Sequence, residues 1–368
     1  MHTMLVLGGY GFFGTRIAAG LVGNSNVRVL IAGRDQAQAR GSARAMQLPD
    51  DHAIRLDATA ADFSASLRTL GVNTVIHTAG PFQGQDYKVA SDAIAAGANY
   101  IDLADGRRFV AGIGVLDDTA RCSGVLVASG ASSVPALSSA IVDVYAPAFE
   151  RLESIRLGIG SGARAPGLAT VQGVFGYCGK PFRRLENGAW TDTHGWLDLM
   201  RYEFPQPVGR RFLGSCDVPD LEVFPTRYGS VRTVTFHGGF ASDIGHLFVW
   251  MMAQLVRAGV ISSVAPLARP LNRMSRWLEP LISDKGAMFV EMEGVGRDGQ
   301  AMKRRWCILA AQNHGPYIPC AAAIALAKKL ADGVAPHSGA RPCVGMLTVE
   351  ECLAPLKGLD VRVVADPV

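Results

Sequence analysis

Charge is scarce in this chain: Asp, Glu, Lys and Arg make up 18% of 368 residues, against 49% hydrophobic. That balance excludes a disordered chain and leaves ample material for a core. The net charge of +4 is small for this length. The single basic block, Lys303-Arg304-Arg305, falls where a strand is expected, so nucleic acid is not an expected partner. Seven cysteines, an odd number with no CxxC pair, argue for reduced thiols in a cytoplasm and against a disulfide framework. No HExxH and no clustered His/Cys spacing occurs, so no metal is expected. No apolar run reaches membrane thickness. The longest apolar region, Phe240 to Leu281, is broken by Asp243, His246, Arg257, Pro266, Arg269 and Pro270. A buried helix is the plain reading there, although Phe248 to Val256 is apolar enough to graze a membrane surface. The N-terminus lacks the basic start and cleavage region of a signal peptide and reads as a strand. Internal repeats, low-complexity tracts and long linkers are missing as well.

Glycine, by contrast, is placed with purpose. An apolar run, Met4 to Leu7, leads into Gly8-Gly9-Tyr10-Gly11-Phe12-Phe13-Gly14. An amphipathic segment to Gly23 follows, and then a second apolar run, Val27 to Ala32. Strand, glycine turn, helix and strand in this order form a unit that holds a nucleotide diphosphate on backbone N–H groups at a helix N-terminus. The glycines fall at 8, 11 and 14, a GxxGxxG spacing. The common GxGxxG is not quite met, and Gly9 stands where a variable residue usually sits. The end of the second strand selects the cofactor. An acidic residue there holds a ribose 2′-OH, whereas Arg34 offers a fork for a 2′-phosphate. This favours NADP, with Asp35 keeping NAD open.

The alternation continues with strands at 53–56, 74–77, 99–102 and 124–128 and helices at 36–47, 60–71, 86–96 and 107–122. The expected fold is α/β: a doubly wound parallel Rossmann sheet with a second α/β domain. Ligands in such sheets sit beyond the carboxyl ends of the strands. That rim collects Gly8 to Phe13, Arg34, Asp57-Ala58 and Ala79-Gly80-Pro81-Phe82. Later segments read as a strand at 153–159, a helix at 170–178, a turn-rich aromatic stretch at 182–225 and a strand at 230–236. Helical segments at 240–260 and 265–281 follow, then a hairpin, 287–293 with 302–311, across Arg297-Asp298-Gly299.

With those motifs in place the chain resembles the saccharopine dehydrogenase-like family of NAD(P)-dependent oxidoreductases. The resemblance rests on Leu7 to Gly14, Ala32-Gly33-Arg34, Thr78 to Gly84, Ala95 to Leu103 and His314 to Pro319. It covers about the first 135 residues and the region near the C-terminus. It implies a Rossmann domain (1–131), an α/β substrate and dimerisation domain (132–311), and a segment (312–368) packing back on the Rossmann domain. It also implies NADP or NAD as cofactor, held by the glycine turn, the second-strand end and the Ala-Gly-Pro-Phe loop, and a homodimer.

The reacting group is harder to read. Neither Tyr-x-x-x-Lys nor G-x-S-x-G occurs. Tyr87, after the Gly80-Pro81-Phe82 loop, and His314, before a helix, are the candidate proton donors, although a tyrosine at a helix start or a lone histidine commonly only packs. Asp102 ends the fifth strand at the rim, His77 reads as core, and His194 and His237 have no evident partner. Arginines at 164, 183, 184, 201, 210, 211, 227 and 232 could hold substrate carboxylates. Three functions stay open: a reductase or dehydrogenase acting on an imine or amino-acid substrate; a reductase of an activated C=C or C=O on an apolar or thioester-bound chain; and a dinucleotide-sensing module without chemistry.

Overall fold

The structure, a computed structural model, describes residues 1–162, 167–277, 282–334 and 336–368. Arg164 and the end of the expected 265–281 helix lie outside these residues. The chain divides into two units, Met1–Leu137 with Tyr317–Pro355, and Ser138–Pro316 with Leu356–Val368.

The first unit opens with β1 (His2–Leu7), α1 (Gly14–Leu21), β2 (Val27–Gly33), α2 (Gln36–Ala45), β3 (Ala53–Arg55), α3 (Phe63–Thr69), β4 (Thr74–His77), α4 (Lys88–Ala95) and β5 (Asn99–Asp102). It continues with α5 (Arg107–Gly112), α6 (Asp117–Cys122) and β6 (Leu126–Ser129). The expected 107–122 helix is thus two helices. The break follows Gly112, where a Cβ would lie 2.6 Å from the Tyr87 hydroxyl. β1 is buried on both faces from Thr3 onward, as a central parallel strand must be. Leu5, Leu7, Leu30, Phe63, Val75 and Tyr100 share one core with it.

The second unit contains α7 (Ser138–Tyr145), β7 (Phe149–Gly160), α8 (Leu168–Gly176), β8 (Pro181–Glu186), β9 (Ala189–His194), β10 (Met200–Glu203), β11 (Arg210–Ser215), α9 (Asp220–Arg227) and β12 (Thr233–Gly239). Then come α10 (Asp243–Arg257), α11 (Ala268–Trp277), β13 (Gly286–Gly296) and β14 (Ala301–Ala310). The stretch expected to be turn-rich, 182–225, is therefore four short strands and a helix. β13 and β14 form the expected hairpin, and Gly299 takes the left-handed conformation its turn needs (φ +76°). α10 is buried along only one face: His246, Val249 and Ala253 are inside, while Ile244 and Met251 are exposed.

The chain then returns to the first unit with α12 (Ile318–Ala331), β15 (Gly339–Pro342) and α13 (Val349–Leu353) before β16 (Val361–Ala365) closes the second. α12 lies on α1, where Gly20 leaves room for Ile324. β15 adds a parallel edge, so the first sheet runs β15-β6-β5-β4-β1-β2-β3. The second runs β10-β11-β12-β7-β13-β14-β16, with β8 and β9 beside β12. The segment 312–368 is thus shared between the units: β16 pairs with β14 at Trp306 to Ala310.

Candidate functional site

The sheet order places β1 between β2 and β4, so the ends of these strands face one rim of the first unit. Gly8, at φ +80°, turns the chain out of β1, and its N–H donates to the Ala32 carbonyl at 2.8 Å. A Cβ on Gly9 would lie 2.8 Å from the Val6 carbonyl oxygen, and one on Gly14 only 2.2 Å from that of Gly8. Gly11 differs. Its Cβ would meet the Gly8 oxygen at 3.0 Å and otherwise open space. Gly9 serves the tight turn, Gly11 the backbone approach and Gly14 the packing of helix on strand, which are the three roles of GxGxxG. The pattern is met by Gly9, Gly11 and Gly14. Gly8, which turns the chain out of β1, stands one residue before the pattern. α1 starts with no side chain capping it and no acidic residue in its first turn, which suits a pyrophosphate. Phe12 and Phe13 flank the turn edge to face, with Arg16 lying 4.3 Å over the Phe12 ring.

Beside the turn, Tyr10 crosses the end of β2, where Gly33 has no side chain to block it, and its hydroxyl accepts from the Asp35 N–H at 3.2 Å. Tyr10, Arg34, Asp35, Gln38 and Arg55 border an open hollow of about 630 Å³. The Asp35 carboxylate is occupied: it caps α2, accepting from the N–H groups of Ala37 (2.9 Å) and Gln38 (3.1 Å) and from the Gln38 side chain (2.9 Å). Those bonds, the Gln38 N–H first, hold its pKa below the usual value. Arg34 and Arg55 are exposed, and Arg55 is paired in register with Gly33 on the neighbouring strand. Arg55 was not singled out in the sequence; its place at the end of a three-residue strand beside β2 is the signal that marks it. Asp57 is turned onto the Thr59 N–H (2.9 Å) and hydroxyl (2.8 Å), with Ala58 following it at the rim.

From β4 the Thr78 hydroxyl donates to the carbonyl of Leu7 at 2.9 Å and pins the loop to the end of β1. Gln85 donates to the carbonyls of Ala79 (3.0 Å) and Pro81 (2.7 Å), folding the Ala79-Gly80-Pro81-Phe82 loop over itself. The Phe82 ring is buried among Ala104, Phe109 and Val110, so this residue offers a ligand its backbone and not its ring. Tyr87 leans on the same cluster, its hydroxyl donating to the Phe109 carbonyl at 2.8 Å. His77 is buried with Nδ1 2.9 Å from the Tyr100 hydroxyl, and burial pushes its pKa down to about 4. His314 belongs to the second unit, where Nδ1 accepts from the Asp360 N–H at 2.8 Å.

Asp102 is fully buried, and one oxygen accepts from the N–H groups of Gly130 (2.7 Å) and Ala104 (2.9 Å) and from the Ser129 hydroxyl (3.0 Å). It ties β5 to the end of β6 and does not cap a helix. Burial raises its pKa from 3.8 to about 6. Between those values the folded chain keeps a proton that the unfolded chain has released. Stability therefore falls as pH rises through this window, by about 3 kcal/mol, and Asp102→Asn flattens that slope. Thermal melts across the window check this, and parallel slopes for the two proteins contradict it.

In the second unit, Arg156, Arg184, Tyr202, Thr235, His237 and Glu291 help to line a pocket of about 400 Å³. Arg184 is paired with Glu186 (2.8 Å) and Asp198 (2.9 Å), Arg227 with Asp143, and Arg210 with Glu203. Three of the suggested arginines are thus held in separate ion pairs, and Arg156 is one the sequence did not single out. Among the aromatic residues, Phe204 and Phe224 are core, and Trp196 stacks on Phe240. Among the described residues no cluster of His, Cys, Asp and Glu could hold a metal. No helix among them is long and apolar enough to cross a membrane.

Residues 4–129 match the family described as the saccharopine dehydrogenase NADP binding domain. No curated protein matches the chain. Among solved structures, the apo saccharopine dehydrogenase (L-Glu forming) of Saccharomyces cerevisiae is 14% identical, with all of both chains covered and a TM-score of 0.67. An amine dehydrogenase of Mycobacterium smegmatis is 9% identical, with 95% of each chain covered and a TM-score of 0.47. Residues 4–129 thus match a saccharopine dehydrogenase NADP binding domain, and the chain shares the fold of the Saccharomyces cerevisiae enzyme.

Proposed function

We propose that the chain uses NADP(H) in preference to NAD(H) to move a hydride to or from a C=N or C–N centre of an amino-acid-like substrate. The observation that carries the cofactor choice is the state of the two residues after Gly33. The Asp35 carboxylate is spent on capping α2, while Arg34 stands exposed at the hollow. A ribose 2′-OH would have to compete with the helix for Asp35, whereas a 2′-phosphate meets a guanidinium. The backbone from Gly9 to Gly14 holds the pyrophosphate, and the Ala79 to Phe82 loop borders the nicotinamide end. When bound, the nicotinamide supplies or accepts the hydride.

Arg55 is the second cation of this clamp, reaching the phosphate from the neighbouring strand. Arg55→Ala weakens NADPH binding by roughly five- to tenfold and leaves NADH binding alone. Fluorescence titration checks this, and an equal loss for both nucleotides contradicts it.

The first unit is the cofactor domain in this reading, and the second serves the substrate and the contacts of a homodimer. The second unit's pocket supports an amino-acid-like substrate, because Arg156 in its lining can take a carboxylate. For the proton we retain Tyr87 and His314. The Tyr87 hydroxyl is given to the Phe109 carbonyl, and the His314 proton sits on Nε2 because Nδ1 accepts from Asp360. Seven cysteines without a CxxC pair fit reduced thiols in a cytoplasmic setting. The test is NADPH consumption on mixing with a 2-oxo acid and a lysine-like amine. Consumption only with an α,β-unsaturated thioester would replace this substrate class with the apolar one.

A further inference from the structure

β16 pairs with β14 on one side, and among the described residues no strand pairs with its other side. Its residues from Arg362 to Ala365 are all exposed, Val363 at 39% and Val364 at 43%. An open edge of this kind is a template for another strand. The pairing with β14 decides which backbone groups it offers. The Asp366 N–H donates to the Arg305 carbonyl at 2.9 Å, and the Ala311 N–H to the Asp360 carbonyl at 3.0 Å. Antiparallel bonding alternates, so Asp360, Arg362, Val364 and Asp366 bond toward β14, while Val361, Val363 and Ala365 turn their N–H and C=O groups outward. The Val361 N–H is already spent on the Leu359 carbonyl at 2.8 Å, and Pro367 has no N–H to give. The complete outward pairs are those of Val363 and Ala365.

A second copy of β16, antiparallel to the first about a two-fold axis at Val364, meets this edge group for group. Val363 then lies opposite the partner's Ala365, and Ala365 opposite the partner's Val363. Each outward N–H of these residues finds a carbonyl, and Val364 faces itself across the axis. Arg362 comes opposite the partner's Asp366, so unlike charges meet twice. The neighbouring registers fail on the same count. An axis at Val363 sets Asp360 against the partner's Asp366 and needs the Val361 N–H that Leu359 holds. An axis at Arg362 sets arginine against arginine. Like charges directly opposite one another destabilise a strand pair. Backbone groups and charge thus select one register, and the strand that satisfies both is β16 itself.

We propose that two copies of this protein join edge to edge through β16, with the two-fold axis at Val364, so that their second sheets become one. This names the surface of the homodimer proposed above and rests on that reading; cofactor and substrate do not enter it. The experiment is light scattering on the full-length protein after size separation, together with cysteine cross-linking. The unaltered protein runs at twice the monomer mass. Val363→Pro removes an outward N–H and leaves the bonds to β14 intact, so it raises the dimer dissociation constant by at least about tenfold with an unchanged thermal melt. Opposed residues that exchange no hydrogen bonds in an antiparallel pair have Cα atoms about 4.5 Å apart, within reach of a disulfide. With the exposed native thiol removed by Cys122→Ser, Val364→Cys therefore links two copies when glutathione disulfide is added. The two thiols are oxidised to one disulfide as glutathione disulfide is reduced to two thiols. Val363→Cys, which faces an alanine, does not link. If Val363→Pro melts early, the two cysteine variants decide the register alone. No link at 364, or equal links at 363 and 364, overturns the proposal. A dimer that Val363→Pro leaves whole, without the link at 364, overturns it while the homodimer reading stands, and a monomer at every concentration overturns both.

Discussion

Gly11→Val binds neither NADPH nor NADH, while the protein remains folded. The two halves of this result come from different sides of one residue. Toward the protein, a Cβ at Gly11 meets only the Gly8 carbonyl oxygen at 3.0 Å, which a shift of a few tenths of an ångström relieves. Toward solvent, the added isopropyl group occupies the space that a pyrophosphate needs to reach the start of α1. Losing two or more hydrogen bonds to a charged group, at about 1.5–3 kcal/mol each, lowers affinity by at least about 100-fold. Gly14→Val is the contrast. Its Cβ would fall 2.2 Å from the Gly8 oxygen and 2.8 Å from the Gly9 Cα, both backbone atoms that the turn cannot move without breaking. That variant loses the fold of the first unit together with the cofactor. Titration and thermal melts on both variants check the pair. A Gly11→Val protein with normal nucleotide affinity removes the phosphate from this turn.

Arg34→Ala has the second largest effect: NADPH binding falls by roughly 10- to 100-fold and NADH binding hardly changes. The guanidinium touches only the part of the cofactor that the two nucleotides do not share. Asp35 does not compensate, because its carboxylate is committed to the Ala37 and Gln38 N–H groups and the Gln38 side chain. Freeing that carboxylate would uncap α2 at a cost of about 1 kcal/mol. A preference for NADPH that survives the loss of Arg34 would move its origin to another residue, with Arg55 the first to examine.

The first unit was legible in the sequence because its signals are local. A buried parallel strand reads as an unbroken apolar run, which can be recognised without its partners. Met4 to Leu7 and Val29 to Ala32 are buried throughout, as is Thr74 to His77. The glycine turn was found but framed one residue early, because the distinction between Gly8 and Gly9 is made by carbonyl oxygens that sequence does not display. Arg55 escaped notice for a related reason: its strand is three residues long, and only sheet order puts it beside Gly33. In the second unit, β8 to β11 were hidden among glycines, prolines and aromatic residues, since four- to six-residue strands with half-exposed faces leave little periodicity. The state of Tyr87 was beyond any pattern, because the Phe109 carbonyl that takes its hydroxyl lies 22 positions away.

A preference for NADP(H) requires a 2′-phosphate held at the end of β2. The measurement that meets this directly is a calorimetric titration of the unaltered protein with 2′,5′-ADP and with 5′-ADP, which differ by that phosphate alone. Binding of 2′,5′-ADP tighter by at least about tenfold, with displacement of bound NADPH, is the predicted result. Equal affinities for the two would contradict the account.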